Sequence, residues 1–374
     1  MLRVLHVGKY YPPVAGGMER VVQMLCGVAP DRLESSVLAF SDTRSTREEI
    51  VDGVRVTRVG TLGHAGSVPI APTFAAHLRA ARADVMIVHE PNPWALLSLL
   101  AARSGIPFAI WYHSDVVRPG LQYSLFYAPV ARPIYRRARK FVVSSPALAA
   151  TSPTLARYAS NVTIIPFGID PAAWELTTER RRRAAELRAA SGRPIVLFLG
   201  RLVPYKGVDV LIRATAPLDV RLVVAGTGPM RDAWQHIAEA NHARADVSFT
   251  GSLDDEEAKS WVHAADVLVL PSVTPAEAFG LVQLEAMAAG TPVISTSVAS
   301  GVSWVNRHGE TGLVVPPGDS AALRGALETL LRDASLRARL GAAGRARVHA
   351  DFSMREMGNR LVAVCKDVVA GAGQ

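Results

Sequence analysis

The chain has 374 residues, 49% of them apolar, and a net charge of +8 at pH 7 with arginine far in excess of lysine. Its length and apolar content exclude a disordered chain and suit two globular domains rather than one. Its two cysteines, Cys26 and Cys365, exclude a disulfide framework and a cysteine-built zinc centre. The opening "MLRVLHVGKYYPP" holds an apolar run too short for a signal peptide, and the best apolar stretch, 93–112, is broken by Arg103 and Gly105. A cytoplasmic protein with no membrane span is therefore expected. A basic charge draws nucleic acid, anionic lipid or phosphorylated substrates alike, or reflects codon bias. The arginines are dispersed and lack aromatic stacking motifs, which disfavours nucleic acid as the partner.

In chain order, residues 2–8, "LRVLHVG", read as the first strand and "GMERVVQMLCGVA" as the helix that follows. Gly16 and Gly17 open that helix and Glu19 lies in its first turn. Such a glycine loop lets a ligand approach the backbone. "SSVLAFS", "VRVTRVG", "ADVMIVHE", "PFAIWYHS" and "KFVVSS" continue as short strands with helical pieces between most of them. The alternation predicts a mostly parallel sheet with helices on both faces. His113 and Asp115 fall at the end of one such strand, where a histidine is placed for polar contact or proton transfer, or is simply structural.

The stretch 121–141 mixes Tyr123, Phe126, Tyr127, Ile134 and Tyr135 with Arg132, Arg136, Arg137, Arg139 and Lys140. Aromatic and basic residues together suit an interfacial segment on anionic lipid; the alternative is a surface helix with a buried aromatic face. Pro129 and Pro133 are expected to prevent one continuous helix. Around 163–194 a Pro- and Gly-rich run followed by a charged one marks a linker. The alternation then restarts with "PIVLFLG", "VRLVVAG", "VSFTG", "VLVLPS", "TPVIST" and "TGLVVPP", and a helix capped by Asp319 or Ser320 follows. Two doubly wound domains in tandem are predicted, with ligands expected outside the carboxyl ends of the strands.

Three loops of the second half can hold a diphosphate. After strand 195–199, Arg201 and Lys206 flank a turn, a pair suited to a bridging diphosphate or else two solvated surface cations. After strand 221–225, Gly226 and Gly228 make a tight turn that is not a dinucleotide fingerprint, since Arg231 occupies the third glycine position. In "PSVTPAEAFGLVQLEAMAAGTPVI" a helix is expected to begin near Phe279–Gly280 and to stop at Gly290. The first-turn N–H groups of Phe279, Gly280, Leu281 and Val282 would form an anion site, flanked by Glu277 before the helix and Glu285 inside it. Two carboxylates gripping hydroxyls on either side of a diphosphate fit a nucleotide sugar; otherwise Glu277 answers the helix dipole and Glu285 is a solvated residue.

These motifs, with "IPFGID", "GTGP", "FTGSL" and "ETGLVVPPGD", occur in the order seen in retaining glycosyltransferases of the GT4 family, which the chain resembles over almost its whole length. The resemblance implies an α/β GT-B fold, two Rossmann-like domains facing across a cleft. Residues 1–168 would form the acceptor domain, rejoined by a crossing helix at 354–374, and 169–353 the donor domain. It further implies that Arg201 and Lys206 contact the diphosphate, with the glycine turn at Gly226 beside the donor. Glu277 and the Phe279–Val282 backbone would hold sugar and phosphates, and Glu285 the ribose. Leu253 would lie near the base, Gly16 and Gly17 beside the phosphate and acceptor with Glu19 and Asp115 on the acceptor side, and His113 near the transferred sugar. No metal and no cofactor are implied. "SGVSWVNRHGETGLVVPPGD" and "YHSDVVRPG" resemble bacterial O-antigen mannosyl- or rhamnosyltransferases. They imply synthesis of a surface polysaccharide from a GDP-sugar donor, and a lipid-linked glycan acceptor at the inner membrane face would explain the segment 121–141. A UDP-sugar transferase and a non-hydrolysing nucleotide-sugar epimerase are the alternatives; a nicotinamide oxidoreductase lacks its glycine fingerprint after the first strand.

Overall fold

The computed structural model describes residues 1–14, 17–114, 127–240 and 244–371. The expectations at Gly16, Asp115, Tyr123 and Phe126 lie outside these residues. The chain divides into two units, Met1–Pro166 with Met354–Gln374, and Phe167–Ser353.

The first unit contains β1 (Leu2–Val7), β2 (Leu33–Phe40), β3 (Arg47–Val51), β4 (Val54–Val59), the short hairpin β5 (Gly63–Ala65) and β6 (Val68–Ile70), β7 (Val85–Glu90), β8 (Phe108–Tyr112), β9 (Lys140–Val143) and β10 (Val162–Ile164). Its sheet runs β10-β9-β8-β7-β1-β2-β4-β3, parallel throughout except where the edge strand β3 turns back on β4. The chain thus leaves β1 in one direction for β2 and later returns to its other side as β7, a reversal of strand order that makes a ligand crevice above those two strands. Leu5, Val7, Phe40, Met86, Val88 and Ile110 point to one face and bury the helices Phe74–Ala80, Pro93–Ala102 and Ala128–Arg137.

The helix Ala128–Arg137 corrects the sequence expectation, because it runs through Pro133. Pro129 sits in the first turn, where no N–H is needed, and Ala131, Ile134 and Tyr135 are buried, so packing outweighs the one hydrogen bond that Pro133 cannot make. Ile134 and Tyr135 belong to the core, and Tyr127 packs against it and bonds Glu90, so these three side chains are not a lipid-facing stripe.

The second unit contains β11 (Ile195–Leu199), β12 (Arg221–Ala225), β13 (Asp246–Gly251), β14 (Val267–Leu270), β15 (Val293–Thr296) and β16 (Gly312–Val315). All pairs are parallel in the order β13-β12-β11-β14-β15-β16, the doubly wound order of nucleotide-binding domains. The reversal falls between β11 and β14. Phe198, Leu211, Val224, Trp234, Val269 and Leu327 fill the core; truncating Trp234, which is 1% exposed, would cost about 3–5 kcal/mol. Asp319 caps the helix Ser320–Arg332 through the Ala322 N–H at 2.8 Å.

Candidate functional site

In the second unit, two loops meet at the strand-order reversal. The loop after β11 tightens into a single turn at Pro204–Lys206, closed by Gly207 at φ +64°. Only glycine fits there: a Cβ would stand 2.3 Å from the Pro271 carbonyl oxygen at the end of β14. The two loops are tied by the Val273 N–H donating to the Tyr205 carbonyl at 2.8 Å. This approach sets Lys206 Nζ 2.5 Å from Glu277 Oε2, with both side chains about nine-tenths buried at 11% and 10% exposure. The Ser272 hydroxyl donates to the same carboxylate oxygen at 3.1 Å, and the Ser272 carbonyl is held in turn by Thr296 Oγ1 at 2.6 Å. Burial, then the Glu277 charge, pushes the Tyr205 phenol up from its ordinary value.

The helix expected in "PSVTPAEAFGLVQLEAMAAGTPVI" spans Leu281–Ala289, one residue later than expected at its start, and ends at Gly290 with φ +82°. Gly280, at φ +71°, is its N-cap and offers no side-chain acceptor. The first two helical N–H groups, of Leu281 and Val282, have no acceptor among the described residues. Phe279 is an anchor beside them: the residue is 2% exposed and its ring packs edge-on to Phe167, Trp304 and Phe352. Its carbonyl is taken by the Gln283 side-chain amide at 2.6 Å. Arg201 is exposed and has no ion-pair partner among the described residues. The two expected cations are therefore unlike: Lys206 is buried and neutralised by Glu277, while Arg201 is open. Glu285 is half-buried on the same helix, one turn in, and Leu253 is half-buried just before the helix Asp255–Ala264. Gly226, at φ +135°, lets the loops after β12 and β11 cross, since a Cβ there would lie 1.9 Å from the Gly200 oxygen.

In the first unit, Gly17 starts the helix Gly17–Gly27, and a Cβ on it would meet nothing within 4 Å. Glu19, in that first turn, is 8% exposed. Lys9, at the end of β1, is half-buried; burial lowers its pKa and Glu19 opposes the shift. His113 follows β8 and is the outer member of a row of three histidines. His6 Nδ1 lies 3.2 Å from His89 Nε2, and His89 Nδ1 lies 3.1 Å from His113 Nε2. Burial pushes His6 down to about 4 and His113 to about 3; His89, squeezed further by its two neighbours, falls well below the usual histidine range. On the other face of β7, Glu90 is fully buried and pushed up to about 7, accepting bonds from Tyr127, from Tyr135 at 3.4 Å and from the Asn92 N–H at 3.0 Å. Sequence reasoning missed His6, His89, Glu90 and Lys9, although "LRVLHVG" and "ADVMIVHE" carry the same signal that singled out His113: a polar residue at the end of an apolar strand.

Residues 179–347 match the family described as glycosyl transferases group 1, and residues 16–168 match the glycosyl transferase 4-like domain. An O-antigen chain mannosyltransferase C of Escherichia coli is 30% identical over 360 residues, 95% of this chain and 96% of that protein. The chain belongs to the group 1 glycosyltransferases. A D-rhamnosyltransferase of Pseudomonas aeruginosa is 30% identical over 333 residues, 88% of this chain and 86% of that protein. HepE of Anabaena, solved in complex with UDP, matches with a TM-score of 0.78 at 22% identity, covering 98% of this chain and 100% of that chain, and so shares the fold. That fold is GT-B, as the motif order implies. This glycosyltransferase moves a sugar from a nucleotide-sugar donor in glycan synthesis, and the epimerase, oxidoreductase and nucleic-acid alternatives fall with that assignment. Among its described residues no helix is long and apolar enough to cross a membrane.

Proposed function

We propose that this glycosyltransferase transfers a hexose, with retention of configuration, from GDP-mannose or a related GDP-sugar to a hydroxyl of a lipid-linked surface glycan, without a metal ion. The observation that carries the reading is the Lys206–Glu277 pair beside the uncapped helix start, at the crevice where doubly wound sheets bind nucleotides. The Leu281 and Val282 N–H groups and the helix dipole would hold the diphosphate, with Arg201 closing on it from solvent. Lys206 already bears a carboxylate, so it would be shared between Glu277 and the phosphates. As charge builds on the leaving diphosphate, Lys206 and the helix dipole would gain interaction energy with it, which lowers the barrier.

In this scheme the bond from the anomeric carbon to the β-phosphate oxygen breaks, the bond to the acceptor oxygen forms on the same face, and the acceptor proton passes to the departing phosphate. Glu277 would accept a hydrogen bond from a donor-sugar hydroxyl, and Glu285 from the ribose. Leu253 would border the base, and His113 would lie at the transferred sugar. Gly17 and Glu19 would border the acceptor. The protein would act in the cytoplasm at the inner membrane face, with the exposed arginines of Ala128–Arg137 towards anionic lipid. The mannosyl- and rhamnosyltransferase relatives support the GDP-sugar reading.

A UDP-sugar is the second reading, favoured by the likeness to a fold solved with UDP. Thermal-shift titrations with GDP, UDP and ADP separate the two, because a ligand at about 100 times its Kd adds roughly 2.7 kcal/mol of stability. Stabilisation by GDP alone supports the first reading; stabilisation by UDP alone replaces it with the second.

A further inference from the structure

The three histidines occupy a staircase across adjacent parallel strands. His6 on β1 is in register with Ile87 of β7, and His89 lies two residues beyond Ile87 on the same face; His89 is in register with Trp111 of β8, and His113 lies two beyond that. The row therefore begins at the strand-order reversal of the first unit and climbs towards the carboxyl ends of the strands. The rings stack as they bond, with centroids 5.5 Å apart for His6–His89 and 5.3 Å for His89–His113. His6 is 0% and His89 1% exposed, whereas His113 is half-buried.

Each neutral imidazole has one N–H and one bare nitrogen. His89 spends both nitrogens inside the row, so one of its bonds must donate and the other accept, and the direction of one bond sets the other. If the bonds run from His6 outward, His113 receives a hydrogen bond at Nε2 and carries its own proton on Nδ1, while His6 Nε2 is bare. If they run inward, His6 must hold its proton on Nε2, a buried atom with no partner among the described residues. An N–H buried without an acceptor is the rarer state, so the outward direction is favoured.

We infer that His6 and His89 are positioning residues: a one-directional chain of hydrogen bonds, His6 to His89 to His113, keeps the proton of His113 on Nδ1 and presents a neutral donor to the transferred sugar. The placement of His113 at the sugar rests on the proposed function; the chain itself does not. A neutral donor holds a sugar hydroxyl without setting a positive charge beside the anomeric carbon, where positive charge develops as the leaving group departs. Burial of the row serves the same end, since all three rings are held in their neutral forms.

The full-length protein labelled with nitrogen-15 in its histidine rings reports each tautomer by long-range correlation spectroscopy. The expected result is a protonated Nδ1 and a bare Nε2 on His113. His6→Gln keeps an amide N–H for His89 Nε2 and should keep that tautomer and normal turnover. His6→Leu should give mixed tautomers at His113 and lower kcat about tenfold, the loss of one aligned hydrogen bond, with donor KM within about twofold. His89→Asn, too short to bridge both neighbours, should repeat the His6→Leu signature and serves where that variant does not fold. A wild-type His113 protonated on Nε2, or unchanged ring shifts and kcat in both variants, overturns the inference. Full turnover by His113→Phe would instead remove His113 from the sugar and with it the catalytic half of the inference, while the ring shifts still decide the relay.

Discussion

Lys206 Nζ and Glu277 Oε2 are 2.5 Å apart across the reversal between β11 and β14, and neither side chain is more than about a tenth exposed. A buried pair of this kind is strongly destabilising to break from one side, by about 3–5 kcal/mol, because the remaining charge is left without a partner. Lys206→Met should therefore lower Tm sharply. Glu277→Gln keeps an oxygen for Lys206 and Ser272 and should cost less. Its transfer rate should fall by roughly a hundredfold or more while GDP or UDP affinity changes little. The double swap Lys206→Glu with Glu277→Lys separates the two roles. Calorimetry should find much of the lost stability restored, because the ion pair is symmetric, whereas turnover should stay near zero, because in the proposed site the diphosphate would need the cation on the β11 side. A swap variant with restored turnover would contradict the proposed polarity of the site.

The same loop supplies a second prediction through Gly207. Its φ of +64° and the 2.3 Å approach of a Cβ to the Pro271 carbonyl add two separate costs. Gly309 has a similar φ of +76° with nothing within 4 Å, so it carries only the first. Gly309→Ala should lose about 1–2 kcal/mol in urea unfolding and keep its activity. Gly207→Ala should lose more than that, and its rate should fall further because Lys206 is carried away from Glu277. Equal losses in the two variants would show that the contact with Pro271 relaxes freely.

Much of this architecture is legible in the sequence because burial on both faces writes parallel strands as continuous apolar runs. "PIVLFLG", "VRLVVAG" and "VLVLPS" could be placed within a residue or so, and Gly290 marks its helix end through its left-handed backbone. The edge strand β3, "REEIV", escaped notice because its residues are mostly exposed and it lacks an apolar run. The hairpin strands β5 and β6 are three residues each, too short to show a period. Arg58 shows the same limit from the other side: a charged residue in "VRVTRVG" is 1% exposed, held by Glu49 at 2.5 Å and the Tyr11 carbonyl at 2.9 Å. Candidates such as Arg201, Lys206 and His113 could be singled out from their places after strands, whereas His6, His89, Glu90 and Lys9 were passed over. The partnerships were not legible, since Lys206–Glu277 and the histidine row depend on which strands become neighbours, and neither local period nor composition encodes that.

Stability should depend on pH through the first unit. His6, His89 and His113 are neutral in the fold, with His6 near 4 and His113 near 3 against an ordinary 6.5. Between those values the unfolded chain binds more protons, so their contribution is complete above 6.5 and is lost as pH falls, by about 1.4 kcal/mol per pH unit for each ring. Glu90 acts the other way: raised to about 7 from 4.5, it binds more protons in the fold and reduces stability as pH rises through that window. Three rings outweigh one carboxyl, so Tm should climb from pH 4.5 to 6.5. Glu90→Gln should stabilise the protein at pH 8 relative to wild type and change little at pH 4.5. A Tm that falls across pH 4.5–6.5 in wild type would refute this balance.

The proposed membrane contact can be tested on the helix Ala128–Arg137. Its described apolar side chains are spent on the core, so hydrophobic insertion by Ile134 or Tyr135 is not available. What remains outward is charge: Arg132, Arg136 and Arg137 are exposed on the helix. Attraction of such residues to an anionic surface contributes about 1 kcal/mol each and is screened within roughly 8 Å at physiological salt. Binding to vesicles containing phosphatidylglycerol should therefore weaken as salt is raised, and neutral vesicles should not bind. Replacing all three arginines by serine should lower affinity for anionic vesicles by roughly a hundredfold, since about 3 kcal/mol is removed. Fold and transfer to a soluble acceptor should be untouched, because none of the three is buried. Equal vesicle binding by wild type and the triple variant would assign any membrane contact to another surface.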